Sequence, residues 1–169
     1  MIEMDQTRLF YADVGEISFL FIEGMANHVI AYSLKEFIGL WENNRTSSLI
    51  IDLKDCTYID STVMGILASG YSFTRKTPDR TIKLINPTPT LISALTSLGL
   101  HKFLQIIDID IPLGVKKIEI PINSTEDKNS MKELIIESHQ VLSDISPENQ
   151  QKFRILMETL SRSVDNKEC

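Results

Sequence analysis

The sequence predicts an α/β protein, in which a mixed β-sheet with helices packed on it is followed by a C-terminal α-helical hairpin. Apolar extended segments alternate with single amphipathic helices through the first two thirds of the chain, which indicates a partly parallel sheet. The run at residues 49–53 is short, β-branched and apolar, as in a strand buried on both faces. Two amphipathic segments joined by a tight turn occupy the last third of the chain and predict the hairpin.

The chain begins with two extended segments, residues 8–12 and 16–23. Their separation suits a β-hairpin whose turn uses Gly15. The second segment is nearly all apolar, so we expect it inside the sheet, ending at Gly24. His28 then lies near the start of a helix, as a capping or surface residue. The helix ends near Asn43 and Asn44, and its apolar face is predicted from Val29, Ile30, Leu34, Phe37, Ile38 and Trp41.

Three consecutive capping residues, Asp60, Ser61 and Thr62, separate an extended run from the next amphipathic helix. Each of these side chains can accept a hydrogen bond from the free amides of a first helical turn. A hydroxyl is therefore displayed at a helix N-terminus, which tolerates a phosphate or another anion. From these residues alone the pattern also fits a helix cap with no further role.

Downstream, residues 82–85 alternate like a strand, and residues 86–90 break it. A short helix follows and is closed by Gly99, and residues 101–107 return to an extended pattern. Residues 109–122 alternate but are interrupted by Pro112 and Pro121, which belong on a sheet edge or in an extended connector.

The C-terminal segment is predicted to be a helical hairpin after a polar loop at 123–129. Ser130 with Glu133 forms a capping-box pattern, and Pro147 after Ser146 starts the second helix. The apolar face of that helix comprises Phe153, Leu156, Met157, Leu160 and Val164. Such a hairpin is not stable alone. It docks on its own domain, which the short loop favours, or on a second copy as a homodimer, or on a partner.

Composition excludes several classes of function. Net charge is −6, with 9 basic and 13 acidic residues up to Asp110 and 8 basic and 10 acidic residues after it. We therefore expect no nucleic-acid partner and no anionic membrane surface. No run approaches about 18 apolar residues, so no direct membrane insertion is expected. Two cysteines and acidic first residues, unlike a signal peptide, predict a cytoplasmic protein.

The sequence contains no constellation that predicts an enzyme. Neither a Gly-rich phosphate-binding loop nor a Gly-x-Ser-x-Gly elbow is present. The three histidines, His28, His101 and His139, are far apart in sequence, and neither cysteine has a neighbouring histidine or basic cluster. We therefore predict no catalytic residue, no metal ligand and no cofactor.

The stretch Asp60-Ser61-Thr62-Val63-Met64-Gly65 resembles the phosphorylation segment of STAS domains of the anti-sigma factor antagonist family. That segment reads Asp-Ser-Ser/Thr-Gly-Leu/Met-Gly after a buried strand, and this chain departs from it at Val63, where the family usually has glycine. The order of elements is similar to the STAS order from about residue 9 to 108. The resemblance implies a STAS-like domain at 1–110 and stops beyond about residue 109. The residue patterns after it predict an extended connector at 111–128 and a helical hairpin at 129–165.

The resemblance implies a bacterial regulatory protein that acts by partner switching in signal transduction and transcription regulation. The unphosphorylated form would bind a serine kinase that is also an anti-sigma factor. The kinase would phosphorylate Ser61, using its own ATP, and a serine phosphatase would restore the complex. The partner-binding residues would be Asp60, Ser61, Thr62, Val63 and Met64.

An alternative within the same family is a non-phosphorylated STAS subunit that docks on a transporter ATPase or a larger signalling assembly. Val63 favours this alternative, because a branched side chain beside Ser61 hinders a kinase that expects glycine.

Overall fold

The computed structural model describes residues 6–44, 46–123 and 127–165, and the side chains of these residues up to 162. Within these ranges the strands are β1 (Arg8–Val14), β2 (Ile17–Ala26), β3 (Ser48–Asp52), β4 (Cys56–Ile59), β5 (Thr81–Ile85), β6 (Gln105–Ile106) and β7 (Ile118–Ile120). The α-helices are α1 (His28–Glu42), α2 (Ser61–Thr74), α3 (Pro89–Ser97), α4 (Lys128–Ser143) and α5 (Pro147–Asp165).

The strands form the mixed sheet that the sequence predicts. Its order is β6-β5-β3-β2-β1-β7, and β4 pairs with the end of β2. β1 and β2 form the predicted antiparallel hairpin, turning at Gly15 with φ +62°. β2, β3, β5 and β6 run parallel to one another. β7 pairs with β1 at the sheet edge, the position that the flanking prolines favour.

The two faces of the sheet are covered differently. On one face the main core packs against the helices, and its fully buried members include Leu20, Ile22, Leu34, Leu49, Ile51, Val63 and Leu67. The other face carries a smaller core of Phe10, Ala12, Phe19, Phe21, Ile50 and Ile85. Partly buried side chains from the extended segment after β6, namely Ile107, Ile109, Ile111 and Val115, pack against this smaller core. This segment therefore shields apolar sheet surface.

Two predictions about strand ends are wrong. β2 continues through Gly24 to Ala26, because Gly24 at φ +77° bends the strand and its last residues pair with β4. Residues 101–107 are largely not extended, since Leu100–Lys102 is a 3₁₀ turn and only Gln105–Ile106 is strand. The amides of Phe103 and Leu104 donate to the Leu100 carbonyl at 3.0 and 2.8 Å, and these local bonds replace strand pairing.

The start of α4 also differs from the prediction, whereas the start of α5 agrees with it. Asp127 caps α4, because its carboxylate accepts from the amides of Asn129 and Ser130 at 3.0 and 3.3 Å. Ser130 therefore lies inside the helix and donates its own hydroxyl to Asp127. α5 begins at Pro147 as predicted.

The hairpin formed by α4 and α5 packs on its own chain through α4. Leu134 and Leu142 of α4 are buried in the main core. α5 is mostly exposed beyond Asn149, with Ile155 70% and Leu156 38% exposed. Of the predicted apolar stripe, Phe153, Met157 and Leu160 are half-buried, and the Val164 side chain lies outside the described residues. A homodimer through this hairpin stays a prediction.

Candidate functional site

Ser61 is the first residue of α2, directly after β4. The amide of Asp60 donates to the carbonyl of Ala26 at 2.9 Å, which continues the pairing of β4 with β2. The Asp60 backbone is extended, and its carboxylate accepts from the Val63 amide at 2.9 Å. Asp60 is thus the cap of α2. Because Asp60 performs the capping, the neighbouring Ser61 hydroxyl is available for another contact.

The Ser61 hydroxyl contacts an imidazole of the hairpin. Ser61 Oγ lies 2.8 Å from His139 Nε2, across 78 residues of sequence. His139 Nδ1 lies 2.6 Å from the carbonyl oxygen of Ile135, one turn earlier in α4. A carbonyl oxygen only accepts, so Nδ1 carries the proton of this bond. In the neutral ring, Nε2 therefore accepts the hydrogen bond from Ser61 Oγ.

The His139 ring is held from several sides. Only 3% of the residue is exposed. The ring of Phe153 in α5 meets it edge to face, with ring centroids 5.1 Å apart and an interplanar angle of 71°. The hairpin therefore presents an oriented imidazole to Ser61. Such an acceptor polarises the hydroxyl, and it also holds the hydroxyl against α4.

α4 crosses α2 at close range one turn beyond Ser61. A Cβ atom built on Gly65 would lie 2.3 Å from the carbonyl oxygen of Ser138 and 2.7 Å from its carbonyl carbon. Only glycine leaves room for this approach. The backbone of α4 therefore lies directly on the face of α2 that begins at Ser61.

A small cavity of about 160 Å³ remains between α1, α2 and α4, with Ser69 and Val141 among its lining residues. Lys35 of α1 and Glu137 of α4 also line it, and their side chains form an ion pair at 2.5 Å. These side chains are 51% and 62% exposed, so solvent weakens the pair. The contact between hairpin and body is therefore incompletely packed along this side.

The structure places the five predicted partner-binding residues in one turn, but not all on the surface. Asp60 and Ser61 are half-buried. Thr62, Val63 and Met64 are 5%, 0% and 6% exposed. Val63 belongs to the main core, so its branched side chain is not presented to a partner. The departure from the family pattern at this position therefore puts no obstacle on the surface beside Ser61.

Sequence reasoning missed His139 and Ser138 as neighbours of the site. Both lie on the buried stripe of α4, between Leu134 and Leu142. A histidine on the apolar face of an amphipathic helix was the available signal, because a buried imidazole needs a hydrogen-bond partner. The sequence offered no indication that Ser61 is that partner. The other two histidines, His28 and His101, are exposed.

Cys56 lies five positions before Ser61 in sequence and is buried. Burial raises the pKa of the Cys56 thiol, the first residue of β4, and its hydrogen bond to the Tyr58 carbonyl only partly opposes this. In the part of the chain that the structure describes, no group of three or more His, Cys, Asp and Glu side chains is placed to hold a metal ion. None of the described helices is both long and apolar enough to cross a bilayer.

Comparison with known proteins finds a family match for the first part of the chain. The model of the STAS domain family matches residues 12–110. A comparison with curated proteins gives no match. The family match ends before β7, so α4 and α5, and with them His139, lie outside it.

Solved structures of anti-sigma factor antagonists share the fold at low sequence identity. Unphosphorylated SpoIIAA is 17% identical with a TM-score of 0.51, covering 59% of this chain and 88% of its own. An antagonist from Mycobacterium paratuberculosis is 22% identical with a TM-score of 0.54, covering 60% and 86%. A putative antagonist from Thermotoga maritima is 19% identical with a TM-score of 0.54, covering 59% and 85%.

Proposed function

Because this chain belongs to the STAS domain family, we propose that it is a regulatory protein-binding module that is switched by reversible phosphorylation of Ser61. Its partners are a serine kinase that also acts as an anti-sigma factor and a serine phosphatase that reverses the modification. In this role the chain is a cytoplasmic substrate and ligand in transcription regulation, with no catalysis of its own.

The position of Ser61 carries this proposal. Its half-buried hydroxyl stands on the first turn of α2, next to the capping carboxylate of Asp60, where the family's acceptor serine is expected. The likeness to an anti-sigma factor antagonist solved in its unphosphorylated form supports it.

Electrostatics predict that the fold tolerates a phosphate at Ser61. A phosphoserine adds about −1.5 to −2 charges. The positive end of the α2 dipole offsets part of the repulsion from Asp60, typically by about 0.3–1 kcal/mol. The helix therefore persists in the modified protein.

The same charge weakens an interface formed over Ser61. Burying an unpaired charge at an interface costs on the order of 2–5 kcal/mol. This corresponds to a loss of affinity of roughly 30- to 4,000-fold. Phosphorylation would therefore release a partner that binds over Ser61 and leave α2 and the sheet folded.

The second candidate function is the non-phosphorylated subunit that docks on a transporter ATPase or a larger signalling assembly. The contact between Ser61 and His139 favours it, because this contact uses the hydroxyl as a structural hydrogen-bond donor. Val63 no longer favours it, since its side chain is in the core. Transporter genes beside this gene would support the second candidate, whereas a serine kinase or phosphatase gene would support the first.

The test is intact mass after expression with and without a serine kinase encoded beside this gene. We expect one added phosphate, which Ser61→Ala removes. Thr62→Ala is the matched control and should keep the phosphate, because Thr62 is only 5% exposed. A phosphate that maps to Thr57, Ser69 or the hairpin would refute the assignment of Ser61.

A further inference from the structure

We infer that α4 is an intramolecular competitor of the protein that recognises Ser61. In the structure described above, which we call the closed state, α4 occupies the face of α2 that begins at Ser61. The hairpin must lift from this face before a partner binds it or modifies the Ser61 hydroxyl. This inference rests on the proposed function, since it concerns access to the same site.

The first observation is that the Ser61 hydroxyl is already hydrogen-bonded to the hairpin. Ser61 Oγ and His139 Nε2 are 2.8 Å apart, a distance that leaves no room for a phosphoryl group between them. The imidazole cannot move aside freely, because its other nitrogen is hydrogen-bonded to the Ile135 carbonyl and its ring packs against the ring of Phe153. Phosphoryl transfer to Ser61 therefore requires displacement of α4.

The second observation is the contact one turn further along α2. The Ser138 backbone fills the space above Gly65 so closely that a single added carbon would collide with it. A partner that approaches α2 over its first two turns therefore meets α4. The surface that the proposed function needs is not free in the closed state.

The third observation is the polar character of the hairpin's attachment. The buried residues of α4 are Leu134, Ser138, His139, Leu142 and Ser143, of which only two are apolar. Hydrogen bonds hold the start of α5, near the turn of the hairpin. Nδ2 of the buried Asn149 donates to the carbonyls of Leu98 and Leu142 at 3.0 and 2.9 Å. Polar contacts of this kind exchange for water when the hairpin lifts, so the cost of lifting comes mainly from the buried Leu134 and Leu142 and from the partly buried Met131, Val141, Ile145 and Phe153.

The sheet does not depend on the hairpin staying closed. The segment before α4 is fixed to α1 by Ser33, whose Oγ donates to the Pro121 carbonyl at 3.2 Å and accepts from the Asn123 amide at 2.9 Å. This anchor precedes the hairpin, so β7 keeps its place on β1 when α4 leaves α2. The hairpin can thus open as a unit.

Two changes on the hairpin side open it without altering α2. Asn149→Asp replaces a donating amide with a carboxylate oxygen that faces two carbonyls. It should raise the fraction of molecules in which the hairpin has lifted from α2 roughly tenfold or more. Glu137→Lys places a second cation opposite Lys35 and should raise it about two- to fivefold. The double variant Lys35→Glu with Glu137→Lys restores the ion pair and is the matched control.

Access to the Ser61 position is measured without any partner by introducing Ser61→Cys and following the rate of labelling with DTNB. The same backgrounds with Ser61 intact supply the rate of the natural cysteines. In parallel, each Ser61 protein is incubated with ATP and its cognate serine kinase, and the rate of phosphorylation is followed. We expect labelling and phosphorylation to accelerate by similar factors in Asn149→Asp and in Glu137→Lys, and to return to the wild-type rates in the charge-swapped double variant.

Equal labelling rates in wild type and Glu137→Lys, with Asn149→Asp also unchanged or unfolded, would overturn the inference. So would faster labelling of the variants if wild type and variants are phosphorylated at the same measurable rate, because the kinase would then reach Ser61 past the closed hairpin. If labelling accelerates as expected but no variant is phosphorylated, the gating of Ser61 is supported and the proposed phosphorylation is refuted instead.

Discussion

Replacing Gly65 by alanine tests how α4 is seated on α2, and the chain offers a matched control in Gly39. Both glycines lie inside helices, Gly65 in α2 and Gly39 in α1. A Cβ atom at Gly39 meets nothing within 4 Å, whereas one at Gly65 lies 2.3 Å from the Ser138 oxygen. Comparison of Gly65→Ala with Gly39→Ala therefore isolates the contact between the helices.

The structure sets the size of the difference. Both substitutions gain about 0.5–1 kcal/mol of helix propensity, which cancels in the comparison. Ordinary contact begins near 3.4 Å, so α4 must retreat from the new methyl group by about 1 Å. A retreat of that size stretches the 2.8 Å bond between Ser61 and His139 to about 3.8 Å, which is no longer a hydrogen bond.

Two costs therefore fall on Gly65→Ala alone. Overpacking costs about 1–3 kcal/mol. The lost hydrogen bond costs about 0.5–1.5 kcal/mol. We expect Gly65→Ala to be less stable than Gly39→Ala by roughly 1.5–4.5 kcal/mol, an amount limited by the free energy that docks the hairpin.

The assay is urea unfolding followed by far-UV circular dichroism, with amide hydrogen exchange of α4 at zero denaturant. Gly39→Ala should raise the midpoint and leave α4 protected. Gly65→Ala should lower the midpoint and speed exchange in α4, with a smaller m-value if the hairpin has already left α2. If Gly65→Ala matches Gly39→Ala in midpoint and in α4 protection, the close crossing of the two helices is refuted.

Three further predictions concern single side chains. Ser61→Asp should leave the far-UV circular dichroism spectrum unchanged, because a carboxylate is tolerated in a first helical turn. The same variant should bind the kinase partner more weakly than wild type. Equal affinities of the two proteins in calorimetry would argue against a charge switch. Arg80→Met should lower the free energy of unfolding, measured by urea titration, by about 2–4 kcal/mol. The reason is that the Arg80 guanidinium donates to four backbone carbonyls at and after the end of α1. Arg75 is exposed, so the control Arg75→Met should change this free energy little. Burial raises the pKa of Cys56 and shields it, so in Cys169→Ser protein DTNB should label this thiol slowly until urea unfolds the chain, and fast labelling of the native protein would contradict its burial.

Much of the fold follows from local patterns that a single sequence contains. Gly15 predicted the turn of the first hairpin, and Asp60 was among the residues predicted to cap α2. Pro147 correctly marked the first residue of α5. These features depend on neighbours within one or two turns of the chain, so composition and spacing suffice to predict them.

The local errors arose where two nearby signals compete. Ser130 and Asp127 can both cap a helix, and the carboxylate of Asp127 accepts two amides. Residues 101–107 contain apolar and aromatic side chains that suit a strand, but Gly99 at φ +75° directs the chain into a 3₁₀ turn. Which signal prevails depends on small differences in local hydrogen bonding.

The sequence by itself determined the helix-capping segment that begins at Asp60 and the presence of an amphipathic hairpin. Only the tertiary structure decided what the hairpin covers. The apolar period of α4 shows that one face is buried, but hydrophobic burial is non-directional and accepts any apolar surface, on this chain or on another. Placement of His139 on Ser61 follows from the close crossing at Gly65 and the anchors at both ends of the hairpin. These are contacts between residues more than 50 positions apart, whose joint energy no local pattern encodes.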